Sequence, residues 1–212
     1  MPEVLDTIAA AARTEIVVTK SRFIADLVPV TSADEAAGAL AAARKEFHDA
    51  RHHVSAWVVG PQGEQFNSSD DGEPSGTSGA PSLAVLQGER LTDVAVVVTR
   101  YFGGTLLGAG GLVRAYGGAV TEAVSLARRV RRRQLSVFKV HVSHADAGQL
   151  ENRLRHWAST VAAHVEPGRY GATDVTIEIA LPEGADDDLR ALLDGGGIAT
   201  ELKEVGPTIV TV

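Results

Sequence analysis

The first candidate for chemistry in this sequence is a loop-like stretch, residues 68–81, that combines carboxylates with glycine, serine and proline. Asp70, Asp71 and Glu73 fall within four consecutive positions of it. Carboxylates this close together bind a cation or attract an arginine, and each raises the pKa of the others. The same residue types form turns and cap helices, because their side chains accept hydrogen bonds from nearby backbone N–H groups. The residues alone leave both interpretations open.

The second candidate is a glycine-rich stretch, residues 100–111, directly after the apolar run Val94–Thr99. A β-branched run of this kind is typical of a central strand, and Leu112 opens a helical apolar pattern. A strand, a glycine-rich turn and a helix N-terminus together present free backbone N–H groups that suit an anion. The spacing matches neither the dinucleotide-binding fingerprint nor the P-loop. A tight packing turn is the alternative interpretation.

We predict that the two stretches pack together and form one binding surface. Arg100 would end a buried strand, where an unpaired guanidinium is costly, and the acidic stretch offers it carboxylates. The glycine pairs at 103–104 and 117–118 would let another backbone approach closely. Arg114, on the first turns of the following helix, would add a cation to the same site. The predicted surface comprises Asp70, Asp71, Glu73, Ser75, Thr77, Arg100, Tyr101, Phe102, Gly103, Gly104 and Arg114.

A basic run between residues 128 and 133 is a separate candidate. It is either a solvated helix end and linker, where cations favour the helix dipole, or a patch that contacts phosphate groups. The candidate RNA-contacting residues are Arg128, Arg129, Arg131, Arg132 and Arg133.

Other kinds of reactive site are not predicted. The chain has no cysteine, which excludes disulfides and thiolate metal sites and fits a reducing compartment. His48 and His52 have a spacing that can bind zinc on one helix face, but the helix should be ending there. The sequence holds no Gly-x-Ser-x-Gly elbow and no His-Glu-x-x-His motif. We therefore expect no metal and no cofactor, and a binding protein rather than an enzyme.

Charge and hydropathy limit the partners. The net charge is −7, of which residues 1–134 carry −1 and residues 135–212 carry −6. The last third of the chain should therefore repel a phosphate backbone at long range. No apolar run approaches the roughly 20 residues that a membrane span needs, and the acidic start Met1–Asp6 does not resemble a secretory signal. We expect a cytoplasmic protein with no membrane partner.

The pattern of apolar residues predicts an α+β protein of two domains, residues 1–134 and 135–212. The second domain has the order βαββαβ, which is the ferredoxin-like arrangement. In the first domain the period of apolar residues predicts both strands and helices. The predicted strands there are 15–19, 23–30, 54–59, 64–67 and 94–99, and the predicted helices are 33–47, 81–87 and one from about 112.

Four motifs in the first domain resemble those of the YigZ/IMPACT family. Residues 69–81, SDDGEPSGTSGAP, and residues 97–108, VVTRYFGGTLLG, resemble its two signatures, although Ser78 stands where alanine is usual. Residues 20–24, KSRFI, and residues 50–53, ARHH, fit as well. The match in order and spacing covers about residues 14–128, and the remainder is similar to the second domain of the bacterial members.

The resemblance implies a fold and a function. The first domain would be akin to the second domain of a small-subunit ribosomal protein, with helices on one face of a mixed sheet. The second would resemble the end domains of elongation factor G. Eukaryotic members regulate translation in a starvation response, and residues 1–13 are too short for the extra N-terminal domain that those members carry. We therefore expect a stress-related, translation-associated regulatory protein that acts through the ribosome, RNA or a translation-related protein. The alternative is a sensor or enzyme that binds a small anion or nucleotide at the two glycine-rich loops.

Overall fold

The computed structural model describes residues 4–182 and 184–211, without the side chain of Thr211. The contacts divide the chain into two compact units, residues 1–132 and 133–212. The first unit contains strands β1 (Thr7–Ile8), β2 (Ala12–Val18), β3 (Ser21–Pro29), β4 (His52–Val59), β5 (Gln65–Ser69), β6 (Val94–Tyr101) and β7 (Arg129–Val130), and helices α1 (Ala33–Glu46), α2 (Gly79–Gly88) and α3 (Gly108–Leu126). The second contains strands β8 (Arg132–Val142, whose first residue belongs to the first unit), β9 (His164–Val165), β10 (Arg169–Tyr170), β11 (Val175–Leu181) and β12 (Thr200–Thr211), and helices α4 (Ala147–Val161) and α5 (Asp186–Asp194). The predicted α+β class is confirmed.

The core of the first unit is a five-stranded sheet with the order β2-β3-β6-β4-β5. Every pair of neighbours in it is antiparallel. The sheet is therefore not the mixed sheet that the resemblance implied. Strand β6 follows β5 in the chain but lies between β3 and β4 in the sheet, and it is antiparallel to both. Strand β6 is the most buried of the five, as its β-branched run predicts.

Helices cover both faces of this sheet, whereas we expected them on one face. Successive side chains of a strand point to opposite faces, so Val94, Val96 and Val98 face one side and Ala95 faces the other. The three valines belong to the large core under α2 and α3, together with Leu86 and Tyr116 among others. Ala95 packs instead in a smaller cluster with Ala36 of α1. Helix α1 therefore lies on the face opposite α2 and α3.

A short pairing that the sequence did not predict ties the basic run to the start of the described chain. Strand β1 pairs antiparallel with β7, with Thr7 opposite Val130 and Ile8 opposite Arg129. Ile8 is buried in the main core of the unit. Residues 128–133 are therefore not a loose linker, because part of the run is a strand of the first unit.

The second unit has the predicted βαββαβ order, with its second strand divided into β9 and β10. The sheet order is β10-β11-β8-β12, and β9 also pairs with β11. Helices α4 and α5 bury Leu150, Leu154 and Leu189 against the sheet. Helix α4 runs to Val161, and β9 follows it from His164. The likeness of this unit to elongation factor G domains stays a prediction.

The described residues also bear on membrane association. Among them no helix combines the length and the apolar character needed to cross a lipid bilayer.

Candidate functional site

The acidic stretch is an ordered loop in which Asp70 caps a helix. Asp70 Oδ1 accepts hydrogen bonds from Ser78 Oγ at 2.6 Å, Ser78 N at 3.1 Å and Gly79 N at 2.8 Å, and Oδ2 accepts one from Gly76 N at 2.8 Å. Burial alone would raise the pKa of this carboxyl, but these hydrogen bonds outweigh it and lower the pKa to about 2. A Cβ on Gly79 would lie 2.8–2.9 Å from the backbone of Ser69. Because Gly79 has no side chain, the start of α2 can approach β5, and the Asp70 carboxylate can reach the free N–H groups of the helix.

Asp71 connects the loop to α1 and β4. Its carboxylate accepts from Arg44 Nη2 at 2.6 Å and from the backbone N–H of His53 at 2.6 Å. Its carbonyl oxygen lies 2.9 Å from Nδ1 of His52, and the buried His53 ring has Nε2 3.2 Å from the carbonyl oxygen of Phe47. These two imidazoles are therefore packing residues of the loop. The part of the chain that the structure describes holds no cluster of three or more potential metal ligands.

Glu73 turns inward and pairs with Arg100. Arg100 follows Val94, Val96 and Val98 on the same face of β6, so its side chain ends the row of core residues. Its Nη1 lies 2.6 Å from Glu73 Oε1, with side chains that are 7% and 4% exposed. This is the ion pair that the sequence predicted between the two stretches.

Tyr116 of α3 completes a buried network around that ion pair. Its hydroxyl donates to the same Glu73 oxygen at 2.7 Å. Burial, and then the hydrogen bond to Glu73, raise the pKa of Tyr116 far above its usual range, so the hydroxyl stays a donor. The Arg100 guanidinium also lies over the rings of Phe23 and Phe102, at 5.4 and 5.6 Å from their centroids. The network therefore joins the acidic loop, β6 and α3 through buried side-chain contacts.

Residues 102–108 form an exposed turn that is packed tightly at its base. A Cβ on Gly103 would overlap the backbone of Lys20 and Ser21, in the turn between β2 and β3. The Gly103 N–H donates to Ser21 Oγ at 3.1 Å. The close approach predicted at 103–104 is therefore found at Gly103. The predicted approach at 117–118 is absent, because Cβ atoms there would meet only side-chain methyl groups at 3.9 Å.

The two stretches enclose a cleft of about 390 Å³. Its apolar lining includes Phe102 and Leu106, which are 52% and 87% exposed. The cleft is lined by Arg51, His52, Glu73, Pro74, Arg100, Phe102, Leu106, Leu107, Gly108, Ala109 and Leu112. A volume of this size is ordinary for a ligand pocket.

The structure separates the remaining predicted surface residues. Ser75 is exposed, and Thr77 is buried with its hydroxyl bonded to the carbonyl of Pro74 at 2.6 Å. The Tyr101 hydroxyl donates to Asp49 at 2.6 Å and does not line the cleft. Arg114 does not line it either. It borders a neighbouring cavity of about 290 Å³, which shares Leu106 and Leu107 with the cleft.

The basic run divides into bound and exposed arginines. Arg132 binds Asp93 at 2.6 Å and the carbonyl of Leu5 at 2.8 Å, and Arg129 binds Glu89 at 2.9 Å. These two side chains are therefore paired within the first unit. The exposed side chains of the run that form no ion pair with a described residue are those of Arg128, Arg131 and Arg133.

Sequence reasoning missed the apolar half of the cleft. Leu106 and Leu107 stand between glycines, and an apolar pair inside a glycine-rich turn was the signal for it. Arg51 and His52 were part of a motif that carried the resemblance, and His52 was otherwise considered only as a zinc ligand, yet His52 is paired with Arg100 across β4 and β6. That pairing brings the motif to the cleft.

Comparison with known proteins identifies the family. The Impact N-terminal domain family matches residues 19–124. The IMPACT family member YvyE of Bacillus subtilis is 43% identical over 149 residues, which cover 70% of this chain and 69% of YvyE. The IMPACT family member YigZ of Escherichia coli is 42% identical over 139 residues, covering 65% of this chain and 68% of YigZ. A crystal structure described as that of a hypothetical protein is 34% identical, covers 95% of this chain and 97% of its own, and has a TM-score of 0.61. The resemblance inferred from the motifs is confirmed, and the chain belongs to the IMPACT family.

Proposed function

We propose that this chain is a regulatory binding protein of the translation apparatus, and that its cleft holds a partner. Membership of the IMPACT family supports the link to translation, because the resemblance implies that role for eukaryotic members. The proposal for the site rests on Leu106 and Phe102, whose side chains are exposed in a turn that packs closely, at Gly103, against the turn between β2 and β3. Exposed apolar side chains on a rigid scaffold are typical of protein interaction sites.

The charged residues of the cleft support binding more than catalysis. Glu73 and Arg100 form an ion pair with one another, and the Tyr116 hydroxyl donates a hydrogen bond to the same carboxylate. A general acid or base must reach a proton of the substrate, and a nucleophile needs an adjacent base. In this network the Glu73 carboxylate, the Arg100 guanidinium and the Tyr116 hydroxyl instead bond to one another.

The proposal is tested by co-sedimentation of the full chain with ribosomes over a salt series. We expect association that Leu106→Ser weakens strongly, because Leu106 is a large apolar residue of the cleft and is 87% exposed. Leu126→Ser is the matched control, since Leu126 is 59% exposed and does not line the cleft. No association at low salt, with or without starvation of the cells, contradicts the proposal.

The salt series also separates a protein contact from an RNA contact. Binding through phosphate groups weakens steeply as salt rises, whereas binding through apolar contacts does not. If RNA is the partner, charge reversal at Arg128, Arg131 and Arg133 should reduce association and its salt dependence. If the cleft holds a protein, those changes should have little effect.

A second candidate function is binding of a small anion or nucleotide. One observation favours it: Gly108 and Ala109, in the first turn of α3, line the cleft, and Leu107, the residue at this helix end, has no side-chain group that could accept a hydrogen bond from the free N–H groups. Thermal-shift screening with nucleotides and phosphorylated metabolites tests it, because a ligand that binds only the folded state raises the melting temperature. A flat response at millimolar ligand contradicts this candidate.

A further inference from the structure

The inner wall of the cleft is close to electrically neutral. Glu73 and Arg100 carry opposite charges 2.6 Å apart, and both side chains are more than nine-tenths buried. Their fields largely cancel for a ligand that enters the cleft. A phosphate group placed there would also meet the Glu73 carboxylate, so the deep part of the cleft suits an uncharged group.

The outer part of the cleft is apolar and carries an available cation. Phe102 and Leu106 supply the exposed apolar contacts. Arg51 lines the same cleft and is exposed, and it forms no hydrogen bond or ion pair with any residue that the structure describes. Beyond Leu106, the neighbouring cavity is bordered by Arg114, which is exposed as well and likewise forms no ion pair with a described residue.

We infer that the cleft binds a protein segment in which a large aliphatic side chain is flanked by carboxylates. The aliphatic side chain would occupy the apolar space beside Phe102 and Leu106, and a flanking carboxylate would pair with Arg51. A second carboxylate would reach Arg114 across Leu106. This inference rests on the proposed function, since it specifies the chemistry of the partner that the cleft holds.

Charge complementarity distinguishes this occupant from other macromolecules. The available charges at the cleft are positive, so a basic segment would be repelled. A nucleic acid would satisfy the arginines but would leave the aliphatic surface of Leu106 and Leu107 without an apolar partner. An aliphatic residue between acids satisfies both features, and an apolar centre with a polar rim is the usual composition of a protein interface.

The test measures binding of four fluorescein-labelled probes to the full chain by anisotropy. The probes are the peptides Glu-Asp-Leu-Leu-Asp-Glu, Lys-Arg-Leu-Leu-Arg-Lys and Glu-Asp-Ser-Ser-Asp-Glu, and a six-nucleotide oligouridylate. We expect the first peptide to bind at least about tenfold more tightly than the other three. Leu106→Ser and Arg51→Glu should each weaken it about tenfold, a usual loss for a central contact. The controls Leu126→Ser and Arg131→Glu should change its affinity less than about twofold, the order expected for a surface position outside the interface.

Each other outcome overturns the inference. It fails if no peptide binds at millimolar concentration, if the serine or basic peptide binds as well as the acidic leucine peptide, or if oligouridylate binds best. It also fails if the control variants weaken binding as much as the cleft variants. Ribosome co-sedimentation keeps the two proposals apart. Co-sedimentation that depends on Leu106 without peptide binding refutes only the inference, whereas selective peptide binding without co-sedimentation refutes only the link to translation.

Discussion

Replacing Arg100 by alanine should destabilise the first unit by about 3–5 kcal/mol, because it leaves a buried carboxylate without its cation. The two side chains are 7% and 4% exposed and 2.6 Å apart. Charges about 4 Å apart attract with about 4 kcal/mol at an effective dielectric constant of about 20. After the change Glu73 would keep the hydrogen bond from Tyr116 but lose the charge that compensates its burial.

The expected pattern across variants identifies the ion pair as the cause. Glu73→Gln should also be costly, since it leaves the Arg100 guanidinium uncompensated. The double variant Glu73→Gln with Arg100→Met should cost clearly less than the sum of the two single changes, because it removes both charges. Arg100→Lys should restore only part of the stability, because lysine lacks the planar group that lies over Phe23 and Phe102.

The measurement is urea unfolding of the full chain followed by tryptophan fluorescence. The chain has two tryptophans, Trp57 in the first unit and Trp157 in the second, so a Trp157→Phe background lets Trp57 report on the first unit. The reasoning is refuted if either single change at Arg100 or Glu73 costs less than about 1 kcal/mol. Additive costs in the double variant would refute it as well, since residues in contact should couple.

Three further predictions concern capping, close packing and the basic run. Asp70→Asn should lower the free energy of unfolding by about 1–2 kcal/mol at neutral pH. Because the pKa of Asp70 in the folded protein is lowered to about 2, this stabilisation is complete above about pH 4 and is lost as the pH falls through about 2. Unfolding measured as a function of pH tests this. Gly103→Ala should lower the melting temperature because its Cβ overlaps a neighbouring backbone, whereas Gly118→Ala should stabilise α3 by about 0.5–1 kcal/mol; the reverse order in thermal unfolding would contradict both. Arg132→Ala should cost about 2 kcal/mol and Arg131→Ala less than about 0.5 in urea unfolding, and equal effects would show that the run is not divided as described.

The ion pair was predictable, but the identity of its carboxylate was not. Arg100 ends an apolar run, and burial of a guanidinium demands a partner, so the sequence indicated one of three nearby acids. The choice depends on the path of the loop. Asp71 has φ 42° and Gly72 has φ 85°, and this left-handed turn directs Glu73 to the core while Asp70 faces the start of α2. Neither angle follows from the order of the residues.

Local sequence patterns could not predict the order of the strands in the sheet or the two short strands either. The continuous β-branched run predicted that β6 is central, but not that it lies between β3 and β4, because register and neighbours depend on contacts distant in the chain. Strands β1 and β7 have two residues each, too few for any period. The apolar pair Leu106 and Leu107 in a glycine-rich turn was a local signal, but the exposure of Leu106 could not be predicted from it, since exposure is a property of the assembled surface.

The pairing of β1 with β7 has a consequence for how the first unit can be rearranged. Thr7 and Val130 are neighbours across two strands, so the two ends of the unit emerge side by side. A polypeptide whose ends meet in this way can be placed within a surface loop of another protein, or have its ends joined and new ones opened elsewhere, without breaking its core. We therefore expect the sheet and the cleft to tolerate such a rearrangement, provided that β1 and β7, which lie outside the family match at 19–124, are kept.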